Sequence, residues 1–248
     1  MSLRNQFGQP IGSSIAGWRI PPAPPMKALC GERCRVEPLD AVAHAESLSD
    51  VFLVDVEEQD WTYLPFGPFD TAESVTEWVH QRSGKSDVRY FVVVDLASGL
   101  PRGVANFMRI DPANGCIEIG GIVYSRSLCR TAAATEAMFL MLDQVFALGY
   151  RRCEWKCDSL NGPSRRAALR LGFSFEGLFR QATMYKGRSR DTAWYAITDE
   201  DWRVLRTIIS GWLRADNFDG RGSQKVSLST LTSPHLRKLD SAGVTLDR

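Results

Sequence analysis

The feature that most constrains the fold is a strand–helix–strand run in the middle of the chain. Residues 116–125 (CIEIGGIVYS) have the β-branched composition of a strand, and residues 151–157 read as a strand again. Between them, apolar residues at positions 138, 141, 142, 145 and 146 repeat at helical spacing and stop before Gly149. This run predicts a helix over 132–148 and one crossover connection near the centre of the sheet.

Elements on both sides of this run predict a mixed sheet. Three successive strands precede the long helix, which argues against a doubly wound parallel sheet, and two strands turning at Gly187 follow it. Asp40 is positioned to cap the first helix. The remaining predicted strands cover 33–39, 89–95, 103–110, 173–186 and 191–197, and the remaining predicted helices cover 41–48, 71–82, 163–171 and 199–213. The order β, α, α, β, β, β, α, β, α, β, β is that of a mixed α/β (α+β) fold.

The composition predicts one globular domain between two tails. Of the 248 residues, 44% are hydrophobic and 24% are charged, which is ordinary for a folded chain. Residues 1–28 are rich in Gly, Pro and Ser and are predicted to form an extended arm. Residues 29–214 form the predicted domain, and the polar residues 215–248 are predicted to be a loosely ordered tail.

Charge and hydropathy exclude several classes of partner. Thirty basic residues against 29 acidic ones give a net charge of +1, so we expect no nucleic-acid partner. The most apolar stretch, 132–148, is too short and too charged for a membrane span, and the first 25 residues lack a secretory apolar run. We therefore expect a cytoplasmic protein with no membrane partner.

The six cysteines are expected to be reduced thiols in such a compartment. Two pairs, Cys30 with Cys34 and Cys153 with Cys157, leave a four-thiolate zinc site as an alternative. Each pair has three intervening residues instead of the usual two, so we expect no metal.

The start of the predicted long helix has the character of a phosphate site. A strand ends, a loop turns, and the helix opens on Ala132, Ala133 and Ala134. Free N–H groups and the positive end of the helix dipole point the same way there, and small side chains permit close approach of a pyrophosphate. The alternative is a helix start that packs tightly against the sheet.

Two motifs together resemble the GNAT superfamily of acetyl-CoA-dependent N-acetyltransferases. The first is Ala134-Thr135-Glu136-Ala137 after a strand ending in Ile122-Val123. The second is Asn161-x-x-Ser164, followed by Leu171-Gly172-Phe173 and Glu176-Gly177. The resemblance covers roughly residues 33–197 and is greatest to the RimJ/RimL-like branch, which acetylates the amino termini of ribosomal proteins.

This resemblance implies a mostly antiparallel central sheet with two splayed parallel strands and helices on both faces. Pantetheine would lie between the splayed strands, with acetyl-CoA as co-substrate. The residues that it implies for CoA binding are Ile122, Val123, Arg130, Thr131, Ala132, Ala134, Thr135 and Asn161. The sequence departs from the family's phosphate loop, because Ala132 replaces a glycine and Cys129 a polar or basic residue; Ala is acceptable if its φ is negative.

Catalysis of amide formation needs a base for the amine and an acid for the departing thiolate. Glu118, on the strand that would carry acetyl-CoA, is the predicted base; the alternative is an ion pair with an arginine on a neighbouring strand. The resemblance places Ser164 near the thioester sulfur as the predicted acid. Capping of the short helix by Asn161 and Ser164 is the alternative role, and Tyr185 and Tyr195 are alternative acids.

The acceptor amine is expected to bind between the early helices. Trp61, Tyr63, Phe66 and Phe69 are the predicted pocket residues, with core packing of one or two as the alternative. The predicted function is acetyl transfer to a primary amine, such as a protein N-terminus, by a monomer or homodimer. Two alternatives stay open: an aminoglycoside or polyamine acceptor, and a non-catalytic acyl-CoA-binding sensor.

Overall fold

An eight-stranded sheet lies at the centre of the computed structural model, which describes residues 3–238. A two-stranded hairpin, β1 (Leu3–Arg4) with β2 (Pro10–Ile11), precedes it. The sheet contains β3 (Leu29–Cys30), β4 (Cys34–Pro38), β5 (Arg89–Asp95), β6 (Pro101–Asp111), β7 (Cys116–Tyr124), β8 (Arg152–Asp158), β9 (Ser174–Tyr185) and β10 (Arg188–Thr198). The α-helices are α1 (Ala41–Val54), α2 (Ala72–His80), α3 (Ala132–Ala147), α4 (Gly162–Arg170), α5 (Asp199–Trp212) and α6 (Leu228–Thr232).

The strand order is β3-β4-β5-β6-β7-β8-β10-β9, and β7 and β8 form the one parallel pair of the described sheet. Helix α3 makes the crossover between them, as the sequence predicts. Parallel pairing covers only Cys116–Glu118 on β7 and Arg152–Glu154 on β8. Beyond these residues the two strands separate. The predicted fold, a mostly antiparallel sheet with two splayed parallel strands, is therefore confirmed.

Both faces of the sheet are covered by helices because alternate strand residues are apolar on both sides. Phe91 and Val93 of β5 pack into a core with α3, α4 and α5, whereas Val92 and Val94 pack into a second core with α1 and α2. Below, the first side is called the α3 face and the second the α1 face.

Helix ends follow local capping chemistry. Asp40 accepts a hydrogen bond from the backbone N–H of Ala43, which confirms it as the cap of α1. The helix continues to Val54, six residues beyond the predicted end, because Val51 and Phe52 are buried in the second core. Thr131 caps α3, and Thr198 caps α5 through a capping box with Asp201.

The segment after α5 is ordered, which contradicts the predicted loose order for residues 215–238. Leu228 is fully buried, and the Thr232 hydroxyl donates to the carbonyl of Arg170 at 3.1 Å. The Trp212 indole N–H donates to the carbonyl of Val226 at 2.9 Å. A few side-chain contacts hold this polar segment in place. Because so few apolar residues take part, the sequence shows no apolar periodicity here. Residues 239–248 of the predicted tail lie outside the described residues.

The predicted arm is mostly exposed, but Trp18 fixes it to the domain by donating its indole N–H to the carbonyl of Gly149 at 3.1 Å. The divisions at residues 28 and 214 stay predictions. Within residues 3–238, no helix combines the length and apolar character needed to cross a membrane.

Candidate active site

A cleft of about 1250 Å³ opens where β7 and β8 separate. It passes through the plane of the sheet, so residues of both faces line it. On the α3 face, the lining includes Thr131, Ala132, Ala134, Trp155, Ser164 and Arg170. On the α1 face, it includes Tyr63, Phe66, Asn106, Glu118, Gly120 and Lys156. An elongated ligand on one face and a second reactant on the other can therefore meet between the strands.

The predicted phosphate loop lies at one end of the cleft. Thr131 caps α3 by accepting from the N–H of Ala134 at 3.1 Å, which leaves the first helical N–H groups without an acceptor in the helix. Arg130 has the left-handed φ of 65° in this loop, whereas Ala132 begins the helix with an ordinary negative φ. Alanine in place of the family's glycine therefore creates no backbone strain here.

A bulge in β7 shapes the middle of the cleft. The pairing with β6 shifts register between Val104, opposite Val123, and Asn106, opposite Gly120. Gly121 has a φ of +56°, and a Cβ there would overlap the side-chain amide of Asn106. This bulge turns Ile122 and Val123 so that both line the cleft, and the edge of β7 beyond Glu118 is left without a strand partner on the β8 side.

Asn161 and Ser164 form the cap of α4, as the alternative interpretation predicts. Asn161 accepts from the backbone N–H of Ser164 at 3.0 Å. The Ser164 hydroxyl oxygen accepts the indole N–H of Trp155, also at 3.0 Å, so its own proton is available to a further acceptor. Cys157 lies beside Ser164; burial raises the pKa of this thiol, and hydrogen bonding to Ser164 opposes that shift.

Glu118 is buried and forms ion pairs, including one with an arginine on a neighbouring strand, which is the alternative role given in the sequence analysis. Its Oε2 accepts from Arg109 at 2.7 Å and from Lys156 at 3.0 Å. Arg109 belongs to the neighbouring strand β6, as the alternative predicts, whereas Lys156 on β8 is an additional partner. Lys156 also pairs with Glu154 at 2.6 Å and lies 3.7 Å from the centre of the Trp194 ring. Glu118 nevertheless lines the cleft.

Asp158 is a candidate functional residue that the sequence analysis missed. It ends β8, is buried, and accepts the Tyr185 hydroxyl at 2.6 Å; both residues line the cleft. Burial and this hydrogen bond raise the pKa of Tyr185 to about 12. The sequence signal was its place at the carboxyl end of a predicted strand beside the splay. Tyr195 instead lies in the core, where its hydroxyl accepts from Arg165 at 3.0 Å.

Of the predicted acceptor residues, Tyr63 and Phe66 line the cleft and Trp61 does not. Trp61 is 1% exposed and packs in the second core against Phe52 and Phe69, with ring centres 5.2 and 5.1 Å away. Trp61 therefore has the core-packing role that the sequence analysis gives as the alternative for one or two of these residues. Its bulk is needed to fill the space between α1 and the following loop, whereas Tyr63 is turned toward the cleft.

Among the described residues that line the cleft, Asn106 has a buried side-chain amide whose oxygen lacks a hydrogen-bond donor. Its side chain is 1% exposed, and Oδ1 accepts no hydrogen bond from any described residue. An unsatisfied buried acceptor is costly, so a ligand donor is expected to reach it.

The described residues hold no group of three or more His, Cys, Asp or Glu side chains arranged to bind a metal. The four cysteines that the alternative zinc site would use are free thiols.

Comparison with known proteins identifies the family. A family described as "Acetyltransferase (GNAT) domain" matches residues 33–174. A GCN5-related N-acetyltransferase from Brucella melitensis has a solved structure with a TM-score of 0.86 and 44% sequence identity, over 88% of this chain and 99% of that one. A "probable" GNAT-family acetyltransferase from Chromobacterium violaceum gives a TM-score of 0.73 at 40% identity, over 79% of this chain and 98% of that one.

The fold is also shared with the ribosomal branch. The Salmonella typhimurium acetyltransferase that modifies the N-terminal serine of ribosomal protein L7/L12 matches with a TM-score of 0.60, over 69% of this chain and 99% of that one. Its sequence identity is 19%, so this likeness shows the fold alone. The family match spans more than half of the chain, including the first motif and residues 161–173 of the second, and the chain belongs to the GNAT acetyltransferase family.

Proposed function

We propose that this protein transfers the acetyl group of acetyl-CoA to a primary amine by direct attack of the amine on the thioester. The observation that carries this proposal is the separation of β7 and β8 beyond Glu118 and Glu154, which opens one cleft to both faces of the sheet. A thioester on the α3 face and an amine on the α1 face would meet at this opening. When bound, acetyl-CoA supplies an activated acyl group with a thiolate as leaving group.

The residues present fit CoA. The unpaired edge of β7 at Ile122 and Val123 offers backbone groups to pantetheine, as a neighbouring strand would. The start of α3, with Arg130, Thr131 and Ala132, offers N–H groups and the helix dipole to the pyrophosphate. Ala134, Thr135 and Asn161 line the same face of the cleft.

We assign Glu118 as the base that takes a proton from the attacking amine, directly or through water. Ile117 and Ile119 pack into the α3-face core, so the side chain between them points to the α1 face, where the acceptor would bind. The two cations bind Oε2, and Oε1 lies on the side of Gly120 within the cleft. These positions support a base role for Glu118 in addition to its ion pairs.

Ser164 is the proposed donor to the departing thiolate. Its oxygen accepts from Trp155, so its hydroxyl proton can be donated to the neighbouring Cys157 sulfur or, when a ligand is bound, to a sulfur atom in the cleft. Tyr185 is the alternative acid: with a pKa of about 12 its phenol stays protonated at neutral pH, and it is held in place by Asp158.

The charge of the cleft favours an acceptor with a single amine over an aminoglycoside or a polyamine. The acidic lining residues are Asp60, Glu118 and Asp158, and the basic ones are Arg82, Arg109, Arg130, Lys156, Arg170 and Arg190. Arg130 and Arg170 are assigned to the phosphates of CoA, and Arg109 and Lys156 are paired with carboxylates, so the lining offers no acidic excess that would attract a polycation. A peptide N-terminus, which the Salmonella neighbour acetylates, carries one amine and fits better.

The first test is thermal stability with CoA. A ligand that binds only the folded state stabilises it by about 2.7 kcal/mol at a hundredfold excess over its dissociation constant, so the melting temperature is expected to rise by several degrees. The measurement is differential scanning fluorimetry from 1 μM to 1 mM CoA, with pantothenate as control. An unchanged melting temperature throughout would exclude CoA as the ligand.

The second test separates an enzyme from an acyl-CoA sensor. Thiol release from acetyl-CoA is followed with a peptide that begins with serine, with the same peptide blocked at its N-terminus, and with spermidine. Release that needs the free N-terminus supports the proposed acceptor. Tight CoA binding without release for any amine in a broader panel would favour the sensor.

A further inference from the structure

The nucleotide end of the cleft is formed in part by the segment that follows α5. Phe218, Gly222, Ser223 and Gln224 line the cleft together with Thr135 and Arg170. This segment lies beyond residues 33–174, the part matched by the family. The cleft therefore continues past the start of α3 and ends against a wall that the C-terminal segment supplies.

Contacts on both sides hold this wall in place. The Trp212 indole N–H donates to Gln224 at 3.1 Å, and its ring meets Phe218 edge to face with centres 5.1 Å apart. Asn217 donates to the carbonyl of Trp212 at 3.0 Å. The wall is thus part of the folded domain.

Arg170, the last residue of α4, places a cation in front of this wall. Its guanidinium carbon lies 4.9 Å from the centre of the Trp212 ring, and Nη1 donates to the hydroxyl of Thr135 on α3 at 3.0 Å. No Asp or Glu among residues 3–238 forms a salt bridge with it. Burial lowers the pKa of Arg170, with no acidic group opposing that shift.

A half-buried arginine without an anionic partner is costly in a folded protein, because its charge is partly desolvated with no compensating ion pair. Other arginines near the segment are compensated: Arg33 pairs with Glu136, and Arg237 pairs with Asp201. Arg170 is directed to the cleft end with donors to spare, and a planar guanidinium is well suited to phosphate. The missing partner is therefore expected to be an anionic group of a ligand.

We propose that Arg170 and the wall formed by residues 218–224 bind the nucleotide end of CoA, with a phosphate group on the Arg170 guanidinium. This inference rests on the proposed function, since it assigns a subsite of the same cleft. Two phosphate sources share this chemistry, the ribose 3′-phosphate and the pyrophosphate. The C-terminal segment thereby becomes part of the cofactor site, although it lies outside the family motifs.

The experiment compares Arg170→Met with Arg170→Lys, two side chains of similar size that differ in charge. Dissociation constants for CoA and 3′-dephospho-CoA are measured by isothermal titration calorimetry at fixed salt. Loss of a charge-assisted contact predicts CoA binding weaker by about tenfold to a hundredfold for Arg170→Met, and by less for Arg170→Lys. A loss confined to CoA assigns the 3′-phosphate, and an equal loss for both compounds assigns the pyrophosphate.

Arg206→Met is the matched control, because Arg206 pairs with Asp143 on the exposed side of α5 and is outside the cleft lining. Ser223→Trp is a second variant that fills the wall without touching Arg170, and it should also weaken CoA binding by at least about tenfold. Melting temperatures without ligand confirm folding. The inference is overturned if both variants bind CoA like the parent protein, or if Met and Lys at position 170 weaken binding equally. If the parent itself binds neither compound, the proposed function fails instead.

Discussion

At the scale of single residues, Glu118 is a buried carboxylate that forms two ion pairs and is also the proposed base. It is 2% exposed and shares Lys156 with Glu154, so the two carboxylates have a common cation. They differ in position, because Glu118 lines the cleft and Glu154 does not. Replacing each residue in turn therefore separates two effects. Both replacements remove an ion pair with Lys156, but only the replacement of Glu118 removes the proposed base.

Glu118→Gln is expected to lower turnover by about 10² to 10⁴, the usual contribution of a general base, while CoA affinity is kept. Glu154→Gln should leave turnover within a few-fold of the parent value. Steady-state kinetics with the best acceptor, across a pH series, measures both variants. Equal turnover in both variants would remove Glu118 from the mechanism.

The same pair makes a prediction for acid stability. Burial tends to raise the pKa of Glu154, but hydrogen bonds from Lys156 and Arg152 lower it below its ordinary value. A carboxyl group with a lowered folded-state pKa stabilises the protein at neutral pH, and this stabilisation is lost as pH falls through that pKa. The deficit of Glu154→Gln in free energy of unfolding should therefore be largest at neutral pH and shrink in acid. Urea titrations at several pH values test this, and a deficit independent of pH would contradict it.

At the scale of elements, the bulge in β7 positions the cleft. Register with β6 changes at Asn106 and Gly120, and Gly121 takes the left-handed φ that turns the strand edge outward. Glycine is required at position 121 for two reasons. Any other residue would be strained in the left-handed conformation, and its Cβ would overlap the side chain of Asn106.

Gly187 provides the matched control for this strain. It has a similar φ, +70° against +56° for Gly121, but an added Cβ would meet nothing within 4 Å. Gly187→Ala should therefore cost about 1 kcal/mol, the price of the left-handed φ alone, and Gly121→Ala about 2–4 kcal/mol because overpacking is added. Chemical denaturation of both variants gives the difference. If both variants lose the same free energy of unfolding, the Asn106 side chain moves aside without a penalty, and its contact with Gly121 does not hold the bulge in place.

These elements also show what the sequence could predict. Hydrophobic periodicity and caps placed α3, β7 and β8 within a residue or two, because local patterning determines these elements. The family resemblance implied that Asn161 and Ser164 lie beside the cleft, and local chain geometry predicted their capping of α4; the structure has both features. The sequence did not show which of the predicted pocket aromatics is buried, or that Lys156 pairs with Glu118, since both depend on contacts between segments far apart in the chain.

At the scale of the whole molecule, the segment that follows residue 214, where the composition predicts the end of the domain, contains a helix and a buried leucine. Segment 215–238 has a polar sequence, yet it covers Trp212, contacts the end of α4 and forms one end of the cleft. Its order depends on a few side chains instead of an amphipathic stripe, which explains why periodicity did not reveal it.

Leu228 is the residue that best tests whether segment 215–238 packs on the rest of the protein. It is fully buried in the core shared with α3 and α5, whereas Val226, two residues earlier, is 45% exposed. Leu228→Ala should destabilise the protein by about 2–5 kcal/mol through lost burial and a cavity, and Val226→Ala should change stability by less than about 0.5 kcal/mol. Urea denaturation of both variants measures the difference. Because the C-terminal segment also lines the end of the cleft where we propose that the nucleotide of CoA binds, Leu228→Ala should weaken CoA binding as well, while Val226→Ala should not. If both variants unfold like the parent, the segment contributes nothing to the folded domain, and the domain ends near residue 214 as the composition predicts.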